Sequence, residues 1–145
     1  MSAVAGGSLL LDHVGIDVHD LDASIAFYCR ALDLEKTYEF DLEELGIRGV
    51  FLANAAGWTI ELFKREGATP HGRPPDPNVA HDMLGIGHFC LRTGDIRAAF
   101  DQLLAAGATS RLDPMQSPHP EFDVAYVSDP EGNLIELIAQ STQAG

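Results

Sequence analysis

Shifted by 75 residues, the separation of His13 from His88, the chain aligns with itself without a gap. Asp20 then falls on Asp95, Gly57 on Gly132, and Ile60-Glu61-Leu62 on Ile135-Glu136-Leu137. Between these anchors the character also matches, Leu21 with Ile96, Ile25 with Phe100, Tyr28 with Leu103 and Phe51 with Tyr126. A repeat of this kind confines the fold, because each copy is a supersecondary unit that cannot bury its apolar side alone and must share a core with its neighbour. At 145 residues, the two copies make one domain rather than several.

Each copy reads as the same series of elements. An alternating apolar segment, residues 9–18, is followed by Asp20 or Asp22 as a helix N-cap and by Leu21, Ile25, Tyr28 and Leu32 on one helical face. Strands are predicted at 35–41, 47–53 and 58–64, with Asn54 to Gly57 as the last turn. The second copy repeats a strand at 85–92, a helix capped by Asp95 and stopped by Gly107, and strands at 109–114, 122–128 and 133–140. Asp129-Pro130-Glu131-Gly132 supplies the proline and glycine of a tight turn. The expected fold is therefore α+β: two βαβββ modules, residues 9–64 and 85–140, forming a curved, mainly antiparallel sheet with helices on its outer face. Residues 65–84 form a linker holding four of the eight prolines.

Charge and composition exclude several classes of function. Hydrophobic residues at 46% give ample material for a core. A net charge of −13 repels a phosphate backbone, so no nucleic-acid partner is expected. No apolar run reaches the ~20 residues of a membrane span, and the opening MSAVAGGSLL lacks the basic and apolar regions of a signal peptide, so the expected location is the cytoplasm. Cys29 and Cys90, without a CxxC spacing, read as two reduced, buried thiols.

The site emerges when strand faces are written out. Val14, Ile16 and Val18 share the apolar side of the first strand, which leaves His13, Gly15 and Asp17 on the other. His88, Cys90 and Arg92 share the corresponding face of the second copy, while Glu61 and Glu136 lie opposite the flanking Ile and Leu of their strands. Taken singly, a strand histidine is usually structural and a strand glutamate a surface charge. As a duplicated set of two imidazoles and two carboxylates inside apolar segments they point to a metal, since burying carboxylates uncompensated costs several kcal/mol each. His13, Glu61, His88 and Glu136 would surround one divalent transition ion, Zn, Ni, Co, Mn or Fe, if the modules pair about a pseudo-two-fold axis. Asp17 and Arg92, also duplicates, read either as a pair that orients the histidines or, for Arg92, as the holder of a substrate carboxylate or phosphate. His71, His81, His119 and Glu44 fall in loops, and Trp58 and Phe63 read as packing residues.

These residues resemble the vicinal oxygen chelate superfamily, which includes glyoxalase I, methylmalonyl-CoA epimerase, extradiol dioxygenases and the fosfomycin and bleomycin resistance proteins. The resemblance runs from about residue 9 to 140 and rests on LDHVGIDVHDLDASIAFY, TIELF, GIGHFCLRTGDI and SDPEGNLIELI. It implies a metal that binds substrate oxygens and stabilises an enolate or enediolate. Glu61, standing where glyoxalase I and the epimerase carry a fourth ligand, favours a proton-transfer isomerase, lyase or epimerase acting on a small carbonyl compound. In such enzymes Glu61 and Glu136 would also be the catalytic bases. A homodimer is implied as well. Two other classes share the fold: an Fe(II) extradiol-type dioxygenase, and a metal-free drug-binding protein of the bleomycin-resistance type.

Overall fold

The computed structural model describes residues 9–142, and the reading of the opening residues as free of a signal peptide lies mostly outside them. The elements are β1 (His13–Asp17), α1 (Leu21–Leu32), β2 (Glu35–Leu42), β3 (Ile47–Ala53) and β4 (Thr59–Arg65), then β5 (His88–Arg92), α2 (Ile96–Ala105), β6 (Thr109–Gln116), β7 (Phe122–Ser128) and β8 (Leu134–Gln140). This is the expected βαβββ order, twice. Short 3-10 turns at Glu43–Leu45 and Val79–Asp82 interrupt the loops, the second within the linker. No described helix is long and apolar enough to cross a membrane.

Both helices start where an aspartate can take an orphan amide. Asp20 accepts from the Ala23 N–H and Asp95 from the Ala98 N–H, each at 3.0 Å. In the β3–β4 and β7–β8 turns, Gly57 (φ 86°) and its repeat mate Gly132 (φ 87°) adopt the left-handed backbone that side chains resist.

The strands form two four-stranded sheets of identical topology, β1-β4-β3-β2 and β5-β8-β7-β6. Within each, the first and last strands run parallel and the other pairings are antiparallel. Hydrogen bonding thus divides the expected curved sheet into two halves, because β1 and β5 pair only with strands of their own module. A cleft of about 600 Å³ lies between them, lined by β1, the start of β5, the β7–β8 turn, and His71 and Arg73 of the linker. Arg73 holds the linker in place by donating to the carbonyls of Ala80, Met83 and Ile86.

One core serves both modules. Phe27, Tyr28, Val50, Leu52, Ile60 and Leu62 of the first copy and Phe100, Leu103, Ala125, Val127, Ile135 and Leu137 of the second belong to a single buried cluster. The helices cover the apolar faces of the sheets and touch each other. Their C-terminal ends are tied reciprocally: Arg30 donates to the Ala106 carbonyl at 3.0 Å, and Gln102 to the Ala31 carbonyl at 2.8 Å. The opposite faces of both sheets, carrying the duplicated histidines and glutamates, stay open.

Candidate metal centre

Strand register fixes the geometry of each site half. β4 lies between β1 and β3, so Glu61 has Gly15 as its neighbour on one side and Phe51 on the other. In the second module β8 places Glu136 between Cys90 and Tyr126 in the same way. The histidine one step back along β1 or β5 then reaches its own module's glutamate. His13 Nε2 lies 2.9 Å from Glu61 Oε2, and His88 Nε2 lies 2.8 Å from Glu136 Oε2. Each imidazole meets an aromatic ring at near right angles, Phe51 at 5.6 Å and Tyr126 at 5.3 Å between centroids.

The two pairs differ in their surroundings. His13 Nδ1 donates to Asp12 Oδ2 at 2.7 Å, which fixes that ring and raises the His13 pKa; the bond to Asp12 is the largest cause, and the charge of Glu61 adds to it. The residue in the matching position of the second module is Gly87. Glu136 faces a thiol and a phenol where Glu61 faces a glycine and a phenyl ring. Burial, then the Glu136 charge, pushes both Cys90 and Tyr126 up to about 12, so both stay protonated at neutral pH and can donate toward the carboxylate.

The donor set fits a cation. Imidazole nitrogen and carboxylate oxygen are the donors that divalent transition ions take, and each His–Glu pair, at 2.9 and 2.8 Å, brings one of each to the same place. With Nδ1–H engaged by Asp12, Nε2 is the nitrogen that would coordinate once an ion displaced its proton, and a carboxylate on the far ring nitrogen is common around metal-bound histidines. The glutamates are only 12% and 18% exposed along their side chains, yet no Lys or Arg ion-pairs with them among the described residues.

The four residues come together as two pairs, not as one cluster. Among the described residues, no three His, Cys, Asp or Glu side chains within the chain are close enough to share an ion. Asp17 and Arg92 are not joined either; the Arg92 guanidinium lies over the Phe122 ring, 5.2 Å from its centroid. Cys90 is exposed as a residue on the open face, though its thiol is turned against Glu136 and partly shielded there, which corrects the expectation of two buried thiols; Cys29 is half-buried against the core. His71 lines the cleft and accepts from the Arg73 N–H, and His119 packs near Phe122. Sequence reasoning passed over Asp12 and Tyr126. The repeat alignment marks Tyr126 as the mate of Phe51, but Asp12 has no acidic counterpart to draw attention to it.

An α+β fold of two βαβββ modules, each with a His–Glu pair on its open face, is the architecture of a class of duplicated domains. The chain belongs to the glyoxalase/bleomycin resistance protein/dioxygenase superfamily, whose family model matches residues 10–137. It is 31% identical, over 91% of both chains, to a probable lactoylglutathione lyase of Vibrio parahaemolyticus. A probable lactoylglutathione lyase of Synechocystis is 32% identical over 93% of this chain and 98% of its own. Among solved structures, a glyoxalase family protein from Enterococcus faecalis superposes with a TM-score of 0.75 at 21% identity, covering 89% of this chain and 96% of that one. Glyoxalase I from Zea mays superposes at 0.70 with 21% identity, covering 87% of this chain and 43% of its own. The chain thus spans less than half of the maize enzyme.

Proposed function

We propose that this protein is a metal-dependent isomerase or lyase of glyoxalase type, moving a proton at a carbon next to a carbonyl group of a small substrate. The observation that carries this reading is the duplicated His–Glu pair, 2.9 Å in one module and 2.8 Å in the other, on sheet faces turned away from the helices. The names of the relatives at about one-third identity support it.

His13 and Glu61 would hold one side of a divalent transition ion and His88 and Glu136 the other. When bound, the ion supplies positive charge where a carbonyl oxygen becomes an oxyanion. The chain's own residues do the rest. Glu61 and Glu136 bring carboxylates to two sides of the substrate, so one removes a proton from carbon and either it or its partner returns it. Asp12 holds the His13 ring in the tautomer that presents Nε2. The surrounding Phe51 and Tyr126 rings limit water around the pairs.

Each chain carries two half-sites, so the complete site is assembled from two copies of the chain in a homodimer. Three features support this arrangement. Among the described residues, β1 and β5 each have a strand on one side only. The segments before them expose Leu9 (98%) and Leu84 (97%), and Leu11 and Ile86 are nearly as exposed, at repeat-equivalent positions. The half-sites stand at those same strands. A two-fold contact placing β1 of one copy beside β5 of the other would join unlike halves twice.

Metal analysis of the purified protein, followed by solvent-deuterium exchange at the α-carbon of 2-oxo and 2-hydroxy carbonyl compounds, tests the reading. Exchange that depends on bound transition metal and disappears on chelation is expected. Protein that binds no metal, or exchange that survives chelation, would refute it.

A further inference from the structure

The open face of the first sheet carries more than His13 and Glu61. Beside them stand four aromatic rings in mutual contact: Phe40 lies 6.1 Å from Phe51, 5.8 Å from Phe63 and 6.2 Å from Tyr38 between centroids. Phe51 joins this wall to the site, because it touches the His13 ring and pairs with Glu61 across the sheet. Phe63 is thus part of an open aromatic surface, not core packing, and Tyr38 is 63% exposed.

Two features separate this wall from ordinary packing. Phe40 lies across Gly49, where any Cβ would fall inside its ring, so the glycine makes room for the aromatic. The second module covers the same places with aliphatic side chains instead of rings: by strand register Leu112 and Met115 stand where Tyr38 and Phe40 do, and the mates of Gly49 and Phe63 are Val124 and Ile138. A requirement of the fold would act on both copies alike. Charge points the same way. Lys36 and Arg48 are engaged by Glu39, and by alternation along β4 Arg65 stands on this face only at the strand's end, beyond Phe63.

Resting on the proposed metal site, we infer that the substrate carries an aromatic or similarly bulky apolar group next to its reacting carbonyl, seated on the wall around Phe40. For a glutathione adduct, with two carboxylates and an ammonium group along its peptide, the arginines nearest the two half-sites are already committed, Arg73 to three backbone carbonyls and Arg92 to the Phe122 ring. An uncharged ring finds aromatic partners on β2, β3 and β4.

Calorimetric titration of the metal-loaded, full-length protein tests this, using benzohydroxamate and acetohydroxamate, chelators that differ only in phenyl against methyl, together with S-methylglutathione. Benzohydroxamate is expected to bind about tenfold or more tighter than acetohydroxamate, beyond the ratio the two show for the ion in water. Phe40→Ala and Gly49→Val should bring the ratio back to within about twofold of the aqueous value, with acetohydroxamate binding reporting that the ion is still held. A ratio equal to the aqueous one in the unaltered protein, or S-methylglutathione as the tightest of the three, overturns the inference while leaving the metal site standing. Absence of metal-dependent binding by any hydroxamate overturns the proposed function and this inference with it.

Discussion

Tyr28 illustrates how a single side chain ties the two modules. Its hydroxyl, fully buried, donates at 2.7 Å to Asp129, which also accepts from the N–H groups of Glu131 and Asn133 and from the Asn133 side chain. Burial, then the Asp129 charge, holds the phenol well above its ordinary value of 10.0. The folded protein therefore keeps a proton that the unfolded chain releases above about pH 10, so stability falls as pH rises through that range. Tyr28→Phe should cost about 1–2 kcal/mol at neutral pH and flatten the decline above about pH 10, as measured by urea unfolding. At the site, Glu61→Gln and Glu136→Gln should each lower turnover by ~10²-fold or more; full activity in both, with metal bound, would remove the glutamates as bases. Duplication made His13, Glu61, His88 and Glu136 legible in the sequence, because each appears twice in the same setting. The Tyr28–Asp129 bond was not, since it joins residues 101 apart whose repeat mates, Leu103 and Asn54, share nothing of the kind.

Elements were legible wherever local chemistry decides them. The helix caps at Asp20 and Asp95 and the turns at Gly57 and Gly132 fall where capping and backbone preference put them. Strand ends were less so. The alternating segment over residues 9–18 predicts a longer first strand, but β1 begins at His13, paired with Thr59, because the β3–β4 turn ends the partner strand there. The same limit trims β5 to His88, opposite Leu134. Ladder hydrogen bonds need a partner, and among the described residues Leu9 to Leu11 have none. The β7–β8 turn reaches the other module: Glu131 accepts from the N–H groups of His19 and Asp20 and from the Ser24 hydroxyl, adding a carboxylate to the start of α1. A negative charge there also favours the helix dipole. Glu131→Ala should therefore destabilise the fold by about 1–2 kcal/mol in chemical denaturation, whereas Glu66→Ala, whose exposed pair with Lys64 spans 3.5 Å, should change it by less than about 0.5 kcal/mol.

At the scale of the whole molecule, local sequence is silent on whether equivalent halves meet within one chain or between two. The strand edges and ligands are identical in both cases, and the difference lies in the path of the linker and the burial of tens of distant side chains. Here α1 and α2 draw the modules together through a shared core behind the sheets, and a cleft separates β1 from β5. A homodimer that completes its sites between copies makes a prediction no intrachain site can match. His13→Ala alone removes one ligand from both sites of its dimer, and His88→Ala does the same from the other side. If each site takes His13 from one copy and His88 from the other, a mixed dimer of the two variants holds one site with both histidines and one with neither. Random reassortment makes about half of the dimers mixed, so unfolding the variants together and refolding them should restore about a quarter of the normal complement of sites. Metal content and activity after refolding measure this directly. The refolded mixture should regain both, while each variant refolded alone regains neither. A mixture no more active than its separate parts would place each site within a single chain.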